Sequence, residues 1–273
     1  MTLRRITLVL LIIYALITAY SIIGRPLGIA PSFVITPLVT ICRFAFAITH
    51  AWQRESWKQA LWLLALVFVV SLFFESVGVA TGGLYGYYHY SGELGPKFLG
   101  LVPYLIPAAW FMMSYPCFVI ADKLVPTGWK NWQRVLGMVA VGGLAMTAWD
   151  VVMVPIMVSG GYWIWDKGGA YFGIPLQNFW GWWLTVFTTF ALYLWLFRKG
   201  TKAAETGSDW QALVSYLVTG SSIIIISFLS GTGGLALIGF FTIMPWVIAA
   251  ALKLPTKSQP SQASVEMISS QQL

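Results

Sequence analysis

Hydrophobic residues occupy this chain in long, almost uninterrupted stretches, and short polar segments separate them. About 20 consecutive apolar residues form a helix long enough to cross the hydrocarbon core of a bilayer. Eight stretches reach or approach that length, so the pattern predicts eight transmembrane helices. These predicted spans are residues 6–23, 33–49, 60–82, 98–120, 134–158, 174–197, 211–230 and 232–252.

Composition assigns the chain to the all-α membrane proteins. Hydrophobic residues make up 58% of the sequence, charged residues make up 9%, and the mean hydropathy is +0.77. Because backbone groups find no water inside a bilayer, the spans must be helical. The sequence therefore predicts one polytopic transmembrane helix bundle over residues 1–253. A polar, Ser/Gln-rich tail follows at 254–273 and is expected to be disordered.

Basic residues predict the orientation of the bundle. With a cytoplasmic N-terminus, 12 Lys and Arg residues fall in inner segments and 3 in outer ones. This bias predicts that both termini are cytoplasmic in a multi-pass protein of the cell membrane. The net charge of +7 then reflects topology and does not indicate nucleic acid. Arg43 lies inside the second span, where we expect it to snorkel to the cytoplasmic surface. Pairing with an acid or a lipid headgroup is the alternative.

Two acids interrupt the apolar spans, Glu75 in the third and Asp150 in the fifth. A carboxyl group at the centre of a membrane helix costs about 2.5–3.5 kcal/mol on insertion scales, so it is expected to have a use or a partner. At 1.5 Å per residue, Glu75 lies about 23 Å along its span and Asp150 about 24 Å along its own. Both acids are therefore predicted at similar depth in the outer half. Asn178 is predicted about one helical turn below the same surface.

The two longest outer loops, residues 81–100 and 159–178, are rich in glycine and aromatic residues and poor in charge. Solvent-exposed loops are usually polar, so we expect these loops to fold back over the bundle as a lid. The inner half is expected to have no such polar cluster. His89, Glu93 and an Asp166–Lys167 pair are interpreted as surface groups. The groups predicted to converge in the outer half are Glu75, His89, Glu93, Asp150, Asp166, Asn178, Tyr85, Tyr88, Tyr90, Trp149, Trp163, Trp165 and Trp182.

Several classes of chemistry are excluded by the motifs. The sequence has no dinucleotide-binding glycine fingerprint, no phosphate loop and no Asp-rich motif for a magnesium diphosphate. It has only two histidines, and its two cysteines are isolated, so no His/Cys metal set is expected. We therefore predict neither a metal nor an organic cofactor.

The remaining chemistry is that of an acid in an apolar, aromatic pocket. A carboxyl group buried in apolar surroundings can hold its proton near neutral pH and deliver it to a weak base such as an alkene. The faces of Trp, Tyr and Phe stabilise the resulting carbocation by cation–π attraction, worth about 2 kcal/mol or more when desolvated. Water held by polar groups can then add to the cation. The pattern favours acid-catalysed hydration or cyclisation of an isoprenoid chain dissolved in the membrane.

Two blocks of residues, within about residues 60–200, resemble a known family. The first block holds Phe74, Glu75, Ser76, Gly82, Tyr85, Gly86, Tyr88, Tyr90, Gly95, Pro96, Pro103 and Trp110. The second holds Trp149, Asp150, Pro155, Gly161, Tyr162, Trp163, Trp165, Gly173, Pro175, Asn178, Gly181 and Trp182. In these blocks the chain is similar to the membrane-bound C-1′,2′ carotenoid hydratases of carotenoid biosynthesis, of the γ-carotene 1′-hydratase and bisanhydrobacterioruberin hydratase type.

The resemblance implies a cofactor-independent hydro-lyase that adds water to the terminal C1′=C2′ double bond of an acyclic ψ end group, as in lycopene or γ-carotene. The implied partners are a lipid-soluble carotenoid, water and membrane lipids. The product is a tertiary alcohol, which a carotenoid glycosyltransferase would modify.

The depth argument assigns the roles of the residues. Asp150 is expected to protonate the alkene, and Glu75 with Asn178 to position or deprotonate water, although the two acids could exchange roles. The predicted substrate-binding residues are Trp149, Trp163, Trp165, Trp182, Tyr85, Tyr88, Tyr104 and Trp110. Two alternatives stay open: a membrane carotenoid cyclase of the lycopene-cyclising type that uses the same acid chemistry, and a non-catalytic carotenoid binder or transporter.

Overall fold

The computed structural model describes residues 2–24, 27, 29, 35–198 and 207–254, and of residues 35–37 and 198 only the backbone. Within these residues the chain forms eight α-helices. They are α1 (Leu3–Gly24), α2 (Ile35–Arg54), α3 (Trp57–Thr81), α4 (Leu105–Leu124), α5 (Asn131–Ser159), α6 (Leu176–Tyr193), α7 (Asp209–Leu229) and α8 (Gly233–Ala251). Leu194–Arg198 continues α6 as a π-helical turn.

Seven of the described helices are long and apolar enough to cross a membrane, and α2 is the exception. The lower hydropathy of α2 follows from its polar residues Arg43, His50, Gln53 and Arg54. The predicted fold class, an all-α polytopic membrane bundle, is confirmed. The orientation of the termini and the single-domain boundary at 253 stay predictions. The predicted tail, apart from Leu254, lies outside the described residues, as do Arg25, Lys199, Lys202 and Lys257 of the charge count.

The bundle is built around α4, which is buried along 83% of its apolar window. The other helices pack side by side around it in the order α1, α2, α3, α6, α5, α8 and α7, and α7 packs against α1 to close the ring. Consecutive helices are therefore not always neighbours. In this order α6 comes before α5, so α3 and α6 are in contact. The loop that follows α3 and the loop that precedes α6 therefore also lie next to each other.

Aromatic residues mark one end of the bundle as a membrane interface. Seven tryptophans lie there on the surface, each at least 39% exposed. They are Trp52, Trp57, Trp62, Trp129, Trp132, Trp195 and Trp210. Amphipathic indole rings favour the headgroup region, so this distribution is that of an interfacial belt. We call this end, where α2 ends at Arg54, the network end. The opposite end, with Glu75 and the loops 81–100 and 159–178, is called the lid end.

The expected packing of the two long loops over the bundle is confirmed. Strand β1 (Tyr88–Tyr90) pairs antiparallel with β4 (Trp163–Trp165), so that Tyr88 faces Trp165 and Tyr90 faces Trp163. Side chains alternate across a strand, and these four aromatic side chains are buried while His89 and Ile164 point outward. The paired strands therefore present only rings and hydroxyl groups to the bundle.

Tyr85 fixes this lid to the helices below it. Its ring fits between Gly78 of α3 and Gly181 of α6, and a Cβ on either glycine would lie 2.5 Å from a ring carbon of Tyr85. The Tyr85 hydroxyl bonds to Thr185 Oγ1 at 2.6 Å. Its carbonyl accepts a hydrogen bond from Trp165 Nε1 at 2.9 Å. Both loops are thus held against α3 and α6 through one buried residue.

The fourth helix begins seven residues later than predicted. Residues 98–103 belong instead to a short hairpin of β2 (Lys97–Phe98) and β3 (Val102–Pro103). The turn places Leu99 and Gly100 in the left-handed region, at φ of 49° and 72°. A left-handed glycine breaks a helix readily, so this apolar segment forms a hairpin and not a helix, with Val102 and Pro103 buried and Leu99 exposed at the turn.

The expectation that the inner half lacks a polar cluster was wrong. At the network end, the Arg54 guanidinium contacts Glu55, Asp122 and Asp209, and its Nε lies 2.9 Å from Asp209 Oδ1. Lys123 pairs with Asp209 at 2.6 Å, and Arg134 pairs with Asp122. These side chains are at most 3% exposed. From the sequence the basic members were counted only as inner-side charges, whereas three cations and three anions here tie α2, α4, α5 and α7 together.

Candidate active site

Both membrane acids are buried, with Glu75 3% exposed and Asp150 fully buried. Glu75 lies six residues before the end of α3, and Asp150 nine residues before the end of α5. Asn178 is the third residue of α6 and is also buried. Three neighbouring helices of the ring therefore carry these side chains beneath the lid.

Glu75 accepts three hydrogen bonds. The hydroxyls of Tyr88 and Tyr90 both donate to Oε2, the latter at 2.8 Å, and Trp110 Nε1 donates to Oε1 at 2.9 Å. The donors come from the lid and from α4, so the lid strands complete this site. Charge-assisted hydrogen bonds of this type stabilise an ionised carboxylate. The surroundings of Glu75 thus support the charge that remains after it gives up a proton.

The two tyrosine donors stay protonated over the physiological pH range. Burial raises the pKa of the Tyr88 and Tyr90 hydroxyls well above their usual value, and the nearby Glu75 carboxylate raises the pKa of both further. A hydroxyl in this environment acts as a hydrogen-bond donor and not as a base. Tyr88 and Tyr90 therefore serve Glu75 through hydrogen bonds alone.

Asp150 has a simpler environment. Asn178 Nδ2 donates to Asp150 Oδ2 at 3.0 Å. The other carboxyl oxygen, Oδ1, is buried and has no hydrogen-bond partner among the described residues. This bond fixes which way the Asn178 amide faces, because its nitrogen must point toward Asp150. The amide oxygen of Asn178 then points elsewhere in the site.

Indole rings surround the space beside Glu75. Trp110 and Trp182 stack with ring centroids 4.0 Å apart. Trp149 and Trp163 approach Trp182 at 6.0 and 6.3 Å. Three of these rings belong to α4, α5 and α6, and Trp163 belongs to the lid. The cluster offers several π-faces and edges to any group placed among them.

A cavity of about 220 Å³, the aromatic cavity, opens beside these rings. Glu75, Trp110, Trp149, Trp163 and Trp182 line one side of it. The remaining wall is mainly apolar and flexible, with Leu94, Leu105, Ile106, Ala109, Met112, Met153 and Met157, and it also includes Thr40 and Arg43 of α2. A branched hydrocarbon end is the kind of group that such a wall accommodates.

A second, much smaller space of about 10 Å³, the small cavity, lies under the lid. Glu75, Trp163 and Trp182 line both cavities, and the small one also contacts Asn178, Tyr85, Tyr88, Tyr90 and Trp165. About 10–15 Å³ of such space is enough for one water molecule. Asp150 is not among the described residues that line either cavity. Glu75 therefore faces both cavities, whereas Asp150 is linked only to the small cavity, through Asn178.

The other predicted substrate-binding residues differ in burial. Tyr85, Tyr88 and Trp165 are buried in the lid. Tyr104 is 59% exposed and contacts Phe98 at the lid surface, away from both cavities.

The charged residues of the lid lie at its surface. Asp166 was expected to pair with Lys167, but its carboxylate lies 3.0 Å from His89 Nδ1, and Lys167 stands over the Tyr87 ring. His89 and Asp166 are at least half exposed, and Glu93 is exposed.

The structure gives Tyr90 and Arg43 roles or positions that differ from those predicted from the sequence. Tyr90 was named in the polar cluster but not among the binding residues, although it donates directly to Glu75. The alternation Tyr88-His89-Tyr90 is a strand pattern that could have assigned both tyrosines to one face. Arg43 was expected near the cytoplasmic end of its helix. The helix continues to Arg54, so Arg43 lies near its middle and lines the aromatic cavity.

Among the residues that the structure describes, no group of three or more His, Cys, Asp or Glu side chains could hold a metal ion. The chemistry available on these residues is proton transfer, hydrogen bonding and stabilisation of positive charge by aromatic rings.

Comparison with known proteins places this site in context. Residues 34–246 match a family described as carotenoid biosynthesis protein. The chain is also 29% identical, over 171 residues, to a bisanhydrobacterioruberin hydratase of Haloarcula japonica. That match covers 62% of this chain and 56% of the relative, so the chain spans little more than half the length of the relative. No solved structure matches the chain.

Proposed function

The chain belongs to the carotenoid biosynthesis protein family, and from that premise we propose that it is a carotenoid hydratase. It adds water to the terminal C1′=C2′ double bond of an acyclic ψ end group, as in lycopene or γ-carotene, and needs no cofactor. The observation that carries this proposal is the position of Glu75, which faces an aromatic cavity on one side and a water-sized cavity on the other. A relative that is a hydratase by name supports the same reaction class.

Glu75 is the proton donor in this proposal. The hydrocarbon end enters the aromatic cavity, and the Glu75 carboxyl transfers its proton to C2′, leaving a tertiary cation at C1′. An alkene is a weak base, so its acid must have a well-stabilised conjugate base. Tyr88, Tyr90 and Trp110 already point their donors at the carboxyl oxygens, which stabilises charge where it develops.

The aromatic rings stabilise the cation. Trp110, Trp149, Trp163 and Trp182 line the cavity into which the end group fits. Cation–π attraction in a desolvated site is worth about 2 kcal/mol or more. Indole rings are poor nucleophiles, so they hold the cation without trapping it.

Water in the small cavity completes the reaction. Its oxygen bonds to C1′, and one of its protons passes to the Glu75 carboxylate, which restores the acid. One proton is thus added to C2′ and one is returned, and the net change is the addition of one water. In this proposal Asn178, held by Asp150 through its amide nitrogen, orients this water with its amide oxygen.

This assignment exchanges the roles that the sequence had favoured for the two acids. The sequence had favoured Asp150 as the proton donor and had left an exchange of roles between the two acids open. The lining of the cavities favours Glu75, since it borders both spaces while Asp150 borders neither. Asp150 becomes a positioning residue that acts through Asn178. The product is a membrane-dissolved tertiary alcohol, a substrate for a carotenoid glycosyltransferase.

Expression in cells that make a single acyclic carotenoid tests the function. We expect a product that is heavier than the substrate by one water and that carries a tertiary hydroxyl. A product of unchanged mass but altered ring content would identify a cyclase instead. Retention of unaltered pigment by the purified protein would identify a binder.

A further inference from the structure

Arg43 is a cation in the wall of a cavity that is otherwise suited to hydrocarbon. It lies eight residues after the start of α2 and eleven before its end. At 1.5 Å per residue, it is about 12 Å from one end of the helix and about 16 Å from the other. Arg43 therefore lies near the middle of α2, away from both helix ends.

The described partners of Arg43 leave most of its donors unused. Nη2 donates to the Met113 sulfur at 3.0 Å, and the guanidinium carbon lies 5.4 Å from the centre of the Tyr14 ring. Nε is buried and has no hydrogen-bond partner among the described residues. A guanidinium has five N–H donors, and a thioether is a weak acceptor. A cation in this state needs oxygen atoms from a ligand.

The aromatic cavity provides the space for that ligand. Arg43 and Thr40 of α2 line it together with Glu75 of α3. Its volume of about 220 Å³ is many times the roughly 10–15 Å³ of such space that one water needs. Water is small enough to enter, supplies oxygen acceptors to the guanidinium, and is a reactant of the proposed hydration.

We propose that Arg43 binds water within the aromatic cavity and is the positioning residue that supplies water to the reaction site. The water site is independent of the proposed function, and only the supply of water to the reaction rests on that function. The Arg43 side of the cavity stays hydrated while the tryptophan side takes the end group. Glu75 borders the small cavity as well, so the small cavity is refilled from this water after each addition.

Hydroxyl-radical footprinting of the full chain in lipid nanodiscs tests the water site without any substrate. Radicals generated from local water oxidise nearby methionines, and Met112 and Met153 line the cavity, whereas Met138 and Met146 are fully buried elsewhere. We expect Met112 and Met153 to be oxidised several-fold faster than Met138 and Met146. In Arg43→Leu this difference should disappear, and Arg43→Lys should retain most of it. If Met112 and Met153 are oxidised at the same rates in a folded Arg43→Leu variant as in the wild type, the proposal is overturned.

Misfolding is recognised in the same measurement, because it raises the oxidation of Met138 and Met146. In that event Arg43→Gln, which keeps part of the side-chain polarity, replaces Arg43→Leu in the comparison. In Arg43→Gln, the oxidation rates of Met112 and Met153 must then lie below their wild-type rates and above the rates of Met138 and Met146. An unchanged value in Arg43→Gln overturns the proposal as well.

Deuterium exchange tests the catalytic consequence. In D₂O, reversible protonation of the alkene introduces deuterium into recovered carotenoid, whereas water capture gives the alcohol. When the protein is equilibrated in D₂O before the carotenoid is added, Glu75 is already deuterated and the first exchange needs no further water. We therefore expect Arg43→Leu to lower alcohol formation by about 10-fold or more while exchange of the first deuteron continues, and Arg43→Lys to restore part of the loss. Equal loss of both, or loss of neither, overturns the supply role. A wild-type protein that forms no alcohol but shows the Arg43-dependent footprint refutes the hydratase function and leaves the water site standing.

Discussion

Asn178 donates its side-chain amide to the Asp150 carboxylate across 3.0 Å, and this bond joins α6 to α5 beneath the lid. Asn178 lines the small cavity beside Glu75, while Asp150 does not. The two acids that stand out in the sequence therefore differ in their access to the cavities. Glu75 borders both cavities, and Asp150 holds an amide that borders the small one. This asymmetry makes their roles separable by experiment.

Glu75→Gln should abolish both steps of the reaction, because the amide can neither give nor take back the proton. We expect hydration to fall by about 10²–10⁴-fold, the usual range for loss of a general acid. Deuterium exchange from D₂O into unreacted carotenoid should stop as well. Persistent exchange in a folded Glu75→Gln protein would assign proton donation to another group.

Asp150→Asn and Asn178→Ala should affect water capture more than protonation. Asn178→Ala removes the bond that orients the amide, and Asp150→Asn weakens this bond by replacing a charged acceptor with a neutral one, so the carbocation forms but water adds to it slowly. We expect the ratio of deuterium exchange to hydration to rise by about 10-fold or more. Complete loss of exchange in Asp150→Asn, with Glu75→Gln still exchanging, would restore the sequence-based assignment of Asp150 as the acid.

Tyr90→Phe removes one donor from Glu75 without changing the size of the ring. Loss of one donor at a site of developing charge typically costs about 10²–10³-fold in rate, and we expect the lower part of that range because Tyr88 and Trp110 remain. Tyr87→Phe is the matched control, since Tyr87 lies in the same loop but is 49% exposed. The rate of alcohol formation per folded protein is the measurement. Equal rates in the two variants would remove Tyr90 from the stabilisation of Glu75.

Much of this architecture follows from the sequence, because each transmembrane helix must be apolar along most of its length. The lid was also predictable, since aromatic loops such as residues 159–178 need burial. The hairpin at 98–103 was not, because its residues are as apolar as a helix and only Gly100 in a left-handed conformation breaks the pattern.

The ion pairs between residues that lie far apart in the sequence could not be predicted from the sequence either. Arg54 and Asp209 are 155 residues apart, and the sequence does not reveal that α2 and α7 meet. The same limit applies to Arg43, because the extent of α2 decided whether its side chain reached the surface or a cavity. Burial of a charge depends on helix packing, which hydropathy alone does not specify.

Gly181→Ala should destabilise the protein by displacing Tyr85. The added Cβ would lie 2.5 Å from a carbon of the Tyr85 ring and 2.6 Å from the Leu84 carbonyl oxygen, and a backbone atom cannot move aside cheaply. Overpacking of this kind costs about 1–3 kcal/mol, so the thermal unfolding temperature should fall and the lid should become more accessible to protease. Gly234→Ala is the control, because a Cβ added there would have no atom of a neighbouring residue within 4 Å among the described residues. Identical unfolding temperatures for the two variants would show that Tyr85 does not anchor the lid.

Arg54→Leu should test whether the ion network at the network end is structural. The substitution leaves Glu55, Asp122 and Asp209 with fewer cationic partners in a buried environment. Removing one member of a buried ion pair typically costs about 3–5 kcal/mol, so we expect a marked loss of thermal stability in detergent. Lys253→Leu, at an exposed position, is the control and should change stability little. Because the network lies at the end of the bundle opposite the lid, the fraction of Arg54→Leu that remains folded should keep its hydration rate and its ratio of exchange to hydration. A folded variant with normal stability but altered ratio would instead connect the network to catalysis.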